Sequence, residues 1–302
     1  MKILLPRREW RRLRVGLLFA SPWIVGFLGF TLYPIIASFY YSLHVYTTFG
    51  QPMQWVGFSN YRELLGQDKL FWVSLYNTAY MVILGVPFHI ALAILLALLL
   101  NVKLRGVAIY RTIYYLPTIV PVVATSVLWL WIFNPEYGLI NAGLSLLGLR
   151  GPGWLADPGL AKLALILMGS WTIGGTVVIF LAGLQDIPQQ LYEAAMIDGA
   201  GLLQRVFYVT LPMLSPVIFF NFIIAVIGGF QTFTEAFIMT QGGPLDATLF
   251  YALYLYRNAF EFFKMPYASA MAWVLFLVVV TATIFVFRTS ARFVYYEGDG
   301  SK

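Results

Sequence analysis

Six apolar runs divide the 302-residue sequence, at about residues 15–43, 77–100, 113–133, 163–184, 213–237 and 268–287. A helix needs roughly 20 apolar residues to cross a hydrocarbon core about 30 Å thick. Inside that core the backbone must satisfy its own hydrogen bonds, which leaves helices as the form such runs take. Sixty per cent apolar against eleven per cent charged residues lies far from the soluble average. The expected fold is all-α and polytopic, with six transmembrane helices in one membrane domain over 15–288, a basic N-terminus over 1–14 and a polar tail over 289–302.

The ends of the runs set the topology. Lys2, Arg7, Arg8, Arg11, Arg12 and Arg14 precede a first run too long for a signal peptide's apolar region, and no small-residue cleavage site follows it. An uncleaved span with its basic end in the cytoplasm is expected, and topology explains the cluster better than a nucleic-acid patch does. With both termini cytoplasmic, Arg62, Lys69, Arg150, Lys162, Arg257 and Lys264 fall outside and the other thirteen of the nineteen Lys and Arg residues inside. That asymmetry favours an even number of spans and accounts for the net charge of +6 without an acidic or nucleic-acid partner. The absence of cysteine removes disulfides and thiolate chemistry, and the two histidines, His44 and His89, stand too far apart in sequence to suggest a metal motif.

One stretch between the fourth and fifth runs breaks the apolar pattern: residues 193–212, EAAMIDGAGLLQRVFYVTLP. Glu193, Asp198 and Arg205 place it in water or against protein. Pro188 is suited to open a short helix carrying Leu191, Glu193, Ala194 and Ala195, and Asp198-Gly199 to end it. Leu203, Val206 and Phe207 then give a second short helix one apolar side, and Pro212 is suited to start the fifth span.

Glu193-Ala194-Ala195, Gly199 four residues on, and Leu211-Pro212 resemble the "EAA" loop of binding-protein-dependent ABC importer permeases, and QDIPQQLYEAAMIDGAG is similar to their carbohydrate-import branch. Phe58-Ser59-Asn60-Tyr61 in the first external loop, MTQGGP at 239–244 and Tyr-Ala-Ser-Ala at 267–270 match further family elements, although Pro266 stands where glycine is expected. The resemblance implies that this loop is a cytoplasmic coupling helix docking on an ATPase. Glu193 would be the carboxylate it offers, Ala194 and Ala195 the small residues for close approach, and Asp198-Gly199 the turn. It further implies a second, different permease subunit, two ATPase subunits that bind ATP and Mg, an extracytoplasmic sugar-binding protein and a carbohydrate substrate. The implied location is the cytoplasmic (inner) membrane of a bacterium or archaeon. No G-x-x-x-x-G-K-[ST] loop occurs, so this chain is expected to hold no cofactor and to perform no ATP chemistry itself.

A sugar needs partners for its hydroxyls and flat rings for its apolar faces. Pro117 and Pro121 are expected to kink the third span and free backbone carbonyls, and Gly169, Gly174 and Gly175 interrupt the fourth, either for close packing or for space. In the fifth span Asn221, Ala225, Gly228, Thr232 and Glu235 recur at helical spacing and are expected to form one stripe, with Gln231 at its margin. Thr118, Trp171, Thr172, Gly229, Gln231 and Thr232 are therefore the expected pathway residues: threonines and glutamine for hydroxyls, Trp171 for stacking, Gly229 for space. Glu235 either faces the pathway or sits at the membrane edge. The alternative function is a single-chain secondary transporter or channel, for which Glu235 is the only deep carboxylate on offer. A membrane enzyme would need a catalytic cluster that the sequence does not display.

Overall fold

The computed structural model describes residues 7–46, 52–102 and 105–290. Residues 1–6, Lys103 and the tail from 291 onward, all drawn on in the expected topology, lie outside the described residues. The chain forms two compact units, one of residues 1–67 and 257–274, the other of residues 68–256 and 275–302.

In the first unit a helix runs from Arg8 to Ser42, and its most apolar stretch is wholly unburied, as a lipid-facing surface would be. Its C-terminal end is held by a small polar knot. Asn60, buried at the start of helix Ser59–Gly66, donates from Nδ2 to the Ser42 carbonyl at 2.7 Å and the His44 carbonyl at 2.8 Å. The Tyr61 hydroxyl lies 2.7 Å from Ser42 Oγ, and the two-residue strands His44–Val45 and Gln54–Trp55 pair antiparallel, His44 opposite Trp55. Asn60 thus supplies the donors that a helix end otherwise lacks. Trp273 packs edge-on against Phe39 at 5.0 Å and donates from Nε1 to Ser38 Oγ at 3.1 Å.

The second unit is built around the helix Lys69–Leu100. Asp68 caps it, accepting from the Phe71 N–H at 3.1 Å, and accepts the Tyr254 hydroxyl at 2.7 Å. Val86, Ile90, Ala93 and Ala97 pack with Val177, Phe180 and Leu184 of helix Gly174–Gln185 and with Leu214 and Val226. Ala93 and Ala97 are fully buried, so small side chains sit where helices pack without a hydrophobic drive from water. Asn77 ties this helix to the MTQGGP loop, donating to the Asp246 and Leu249 carbonyls at 2.7 and 3.2 Å and accepting from Lys162 Nζ at 2.9 Å. Gln241, Leu245 and Asp246 in that loop take positive φ without being glycine, a conformation held by Thr248, which bonds Gly243 O and Thr240 Oγ1, each at 2.6 Å. Beside it the Tyr251 phenol is fully buried; burial first, then the charge of Asp68, pushes its pKa upward and keeps it protonated.

Three wide π-turns each end two residues before a proline: Leu28–Leu32 before Pro34, Met81–Gly85 before Pro87, and Val206–Thr210 before Pro212. A proline gives no N–H to the carbonyl four residues back and its ring collides with that carbonyl. Widening the preceding turn relieves the collision without breaking the helix. The expectation that Pro212 begins a new span is corrected for this reason: one unbroken helix runs from Leu202 to Gly229, absorbing both the expected second short helix and the start of the fifth span.

The other end of that span is also corrected. The helix stops at Gly229 instead of reaching Phe237, and a separate helix, Thr234–Met239, follows an irregular turn. The stripe from Asn221 to Glu235 is therefore interrupted, with Thr232 and Glu235 beyond the break. Two further expected spans are bent pairs. Val107–Ile119 and Val122–Ile132 meet at 102°, far more than a kink, because Pro117 and Pro121 remove two bonds within five residues. Ala161–Trp171 and Gly174–Gln185 meet at 52°. Among the described residues four helices are continuous, apolar and long enough to cross a membrane, the last being Met265–Thr289, and six crossings result if each bent pair counts as one. The second span starts at Lys69 and not near Asn77, so Trp72 belongs to it instead of to the preceding loop. The loop over 134–160 contains a helix of its own, Leu139–Leu146.

Candidate functional site

The breaks in these helices border a cavity of about 390 Å³ with mixed polar and apolar walls, all of it within the second unit. It is lined by Met81 and His89 from the Lys69–Leu100 helix and by Thr118, Val120, Val122 and Thr125 from the 102° bend. Leu165, Met168, Gly169 and Thr172 reach it from the 52° bend, and Thr232 and Glu235 from beyond Gly229. Irregular backbone at membrane depth is tolerated where it lines such a space, and prolines and glycines supply the irregularity.

Of the six expected pathway residues, Thr118, Thr172 and Thr232 line this cavity; Trp171, Gly229 and Gln231 do not. Trp171 lies edge-on to Trp129 at 6.3 Å. Gly229 serves close packing: a Cβ there would stand 3.0 Å from Val82 Cγ2. Gln231 is exposed in the turn after the helix. Glu235 lines the cavity.

Sequence reasoning missed His89 and Thr125, while Gly169, left open between packing and space, lines the cavity. His89 was legible in principle as the one imidazole inside an apolar run, since polar residues at membrane depth face an interior. Its Nε2 lies 2.8 Å from the Ile166 carbonyl, and a Cβ on Gly169 would come within 2.7 Å of its Cε1. Gly169→Ala is therefore expected to push the ring off Ile166 and destabilise the fold by about 1–3 kcal/mol. Thermal denaturation in detergent should show the loss, and His89→Ala in the same chain should recover most of it.

The polar loop has the predicted helix and stop. Helix Gln189–Ile197 follows Pro188, and Gly199 ends it at φ +80°, a conformation glycine adopts without steric cost. Glu193, Ala194, Asp198 and Gly199 are exposed and Ala195 half-buried, so the loop presents a face to solution. Tyr192 is turned the other way, its hydroxyl 3.0 Å from Thr210 Oγ1 in the wide turn Val206–Thr210 of the Leu202–Gly229 helix. Among the described residues no cluster of three or more His, Cys, Asp or Glu is arranged to hold a metal ion.

Apolar helices of crossing length, broken around a cavity with mixed polar and apolar walls, define a multi-pass membrane protein. The chain belongs to the family described as binding-protein-dependent transport system inner membrane component, which matches residues 89–294. It is 44% identical over 286 residues to the probable ABC transporter permease protein YesP of Bacillus subtilis (strain 168), covering 93% of this chain and 92% of that one. It is 37% identical over 279 residues to the lactose transport system permease protein LacF of Rhizobium radiobacter, covering 90% and 92%. Among solved structures, a bacterial ABC transporter involved in the import of the acidic polysaccharide alginate has a chain that superposes with a TM-score of 0.81 at 27% identity, covering 94% of this chain and 99% of that one.

Proposed function

We propose that the chain is one of two different permease subunits of an ATP-binding-cassette importer that moves a carbohydrate, delivered by an extracytoplasmic binding protein, across the cytoplasmic membrane of a bacterium or archaeon. The observation that carries the reading is the exposed Glu193-Ala194-Ala195 helix stopped at Gly199, in a chain of this family. Glu193, Ala194, Ala195, Asp198 and Gly199 form the docking face for an ATPase subunit, and the ATPases hold ATP and Mg. Each bent pair is one crossing, so six spans fill residues 15–288 and leave residues 1–14 and 289–302 in the cytoplasm. Thr118, Thr172 and Thr232 contact solute in the cavity; Trp171 and Gln231 act at its margin or against the second permease, and Gly229 packs against Val82.

The relatives' names support a carbohydrate but leave its charge open, since one names lactose and another transporter takes an acidic polysaccharide. The test is purification of the tagged chain, identification of what accompanies it, and uptake by the reconstituted complex. Co-elution of an ATPase and a second permease, with uptake that requires ATP, supports the reading. A chain that purifies alone and transports solute without ATP replaces it with a single-chain transporter, and Glu235 becomes its first candidate ion-coupling group.

A further inference from the structure

Partners within the protein have already fixed the direction of most polar atoms in the cavity. The Ile166 carbonyl can only accept, so His89 Nε2, 2.8 Å away, carries the proton and donates. In the neutral imidazole Nδ1 is then left as an acceptor. Thr118 gives its hydroxyl proton to the Tyr115 carbonyl at 2.6 Å and Thr172 to the Gly169 carbonyl at 3.0 Å, leaving both oxygens with lone pairs to offer. Glu235 adds a carboxylate. Thr125 is 1% exposed, lines the cavity, and its Oγ1 has no hydrogen-bond partner in the protein. A buried hydroxyl in that state is disfavoured until something completes it. No lysine or arginine is among the residues lining the cavity. The first turn of helix Val122–Ile132 brings positive charge of about half a unit, less than the full charge of Glu235.

We propose that this cavity selects an uncharged, hydroxyl-rich solute and rejects carboxylate, phosphate and sulfonate groups, with Glu235 as the residue that sets the discrimination. A sugar hydroxyl can donate to the acceptors on His89, Thr118, Thr172 and Glu235 and still accept from Thr125. An anion can only accept, and it meets a like charge in a site of low dielectric. The inference rests on the transport reading for the role of the cavity.

The chain has no cysteine of its own, so Thr232→Cys, three residues from Glu235, gives this subunit a single thiol inside the cavity. In the assembled complex it is reacted with a neutral hydroxyethyl and an anionic sulfonatoethyl methanethiosulfonate, and labelling of this subunit is followed by mass. Rates are referred to the same reagents at Ser145→Cys, an exposed position outside the cavity. The anionic reagent should lose about tenfold relative to the neutral one, and Glu235→Gln should remove most of that loss. Equal relative rates, or a loss that survives Glu235→Gln, overturns the proposal. Thr118→Cys replaces Thr232→Cys if the latter fails to assemble.

Protection from the neutral reagent separates this inference from the reading beneath it. Lactose slowing the label while its carboxylate counterpart lactobionate does not supports both. Equal protection by lactobionate overturns the charge rule and keeps the sugar. Protection by neither, with the sulfonate still excluded through Glu235, upholds the charge rule and removes lactose as the solute.

Discussion

Glu193→Lys is expected to abolish ATP-driven uptake while leaving the chain folded. Glu193 is exposed on helix Gln189–Ile197, and a lysine fits an exposed helical position with little cost to the fold. In the proposed docking, what changes is the sign of the charge offered to the ATPase subunit. Losing one partner of a hydrogen-bonded charge pair at an interface costs about 2–5 kcal/mol, and reversing it adds repulsion. ATPase retention should therefore fall by roughly thirtyfold or more, and uptake with it, while the second permease continues to co-elute. Elution profiles of the purified complex read the first effect and transport by proteoliposomes the second. Undiminished uptake by Glu193→Lys would remove this helix from the coupling role.

Gly174→Ala is expected to be strongly damaging, and Gly175→Ala next to it to be harmless. A Cβ on Gly174 would overlap the Tyr114 carbonyl oxygen and lie 3.0 Å from Tyr115 Cα, both of them backbone that cannot rotate away. The same Cβ on Gly175 meets nothing within 4 Å. Gly174 is buried at the first turn after the 52° bend, against the last residues of helix Val107–Tyr115 just before Pro117. A methyl there must separate the two bends, so about 3 kcal/mol or more of destabilisation is expected. Gly175→Ala should stay within about 0.5 kcal/mol of the parent. Thermal unfolding and the yield of monodisperse protein compare the two, and equal behaviour would show that the helices do not pack this closely.

The contrast between these glycines shows where sequence reading reaches its limit. The apolar helices and the helix and stop of the polar loop were legible because both are local: run length sets what can cross a bilayer, and Asp198-Gly199 stops a helix wherever it lies. Gly169, Gly174 and Gly175 looked alike because what distinguishes them is a neighbour from another helix: His89, the Tyr114 backbone, or nothing. Pro117 and Pro121 announced a disturbance, but its size, 102°, depends on packing that the dipeptide pattern does not contain. Thr232 and Glu235 were grouped with Asn221 on the assumption of an unbroken helix. They reach the cavity because that helix ends at Gly229. Trp171 was chosen for its chemistry, and it packs on Trp129 instead of lining the cavity.

The wide turn at Met81–Gly85 also acts as a phase corrector. Asn77 and His89 are twelve residues apart, and at about 100° per residue an uninterrupted α-helix would set them about 120° out of step. A turn that takes in one extra residue sets the later part back by about 100°, which brings the two side chains to within roughly 20° of one meridian. Both then meet the same neighbour, Asn77 at Lys162 and His89 at Ile166, one turn apart on helix Ala161–Trp171. Pro87, by forcing that turn, aligns the Asn77 clamp of the Lys69–Leu100 helix with the imidazole of the cavity along a single edge.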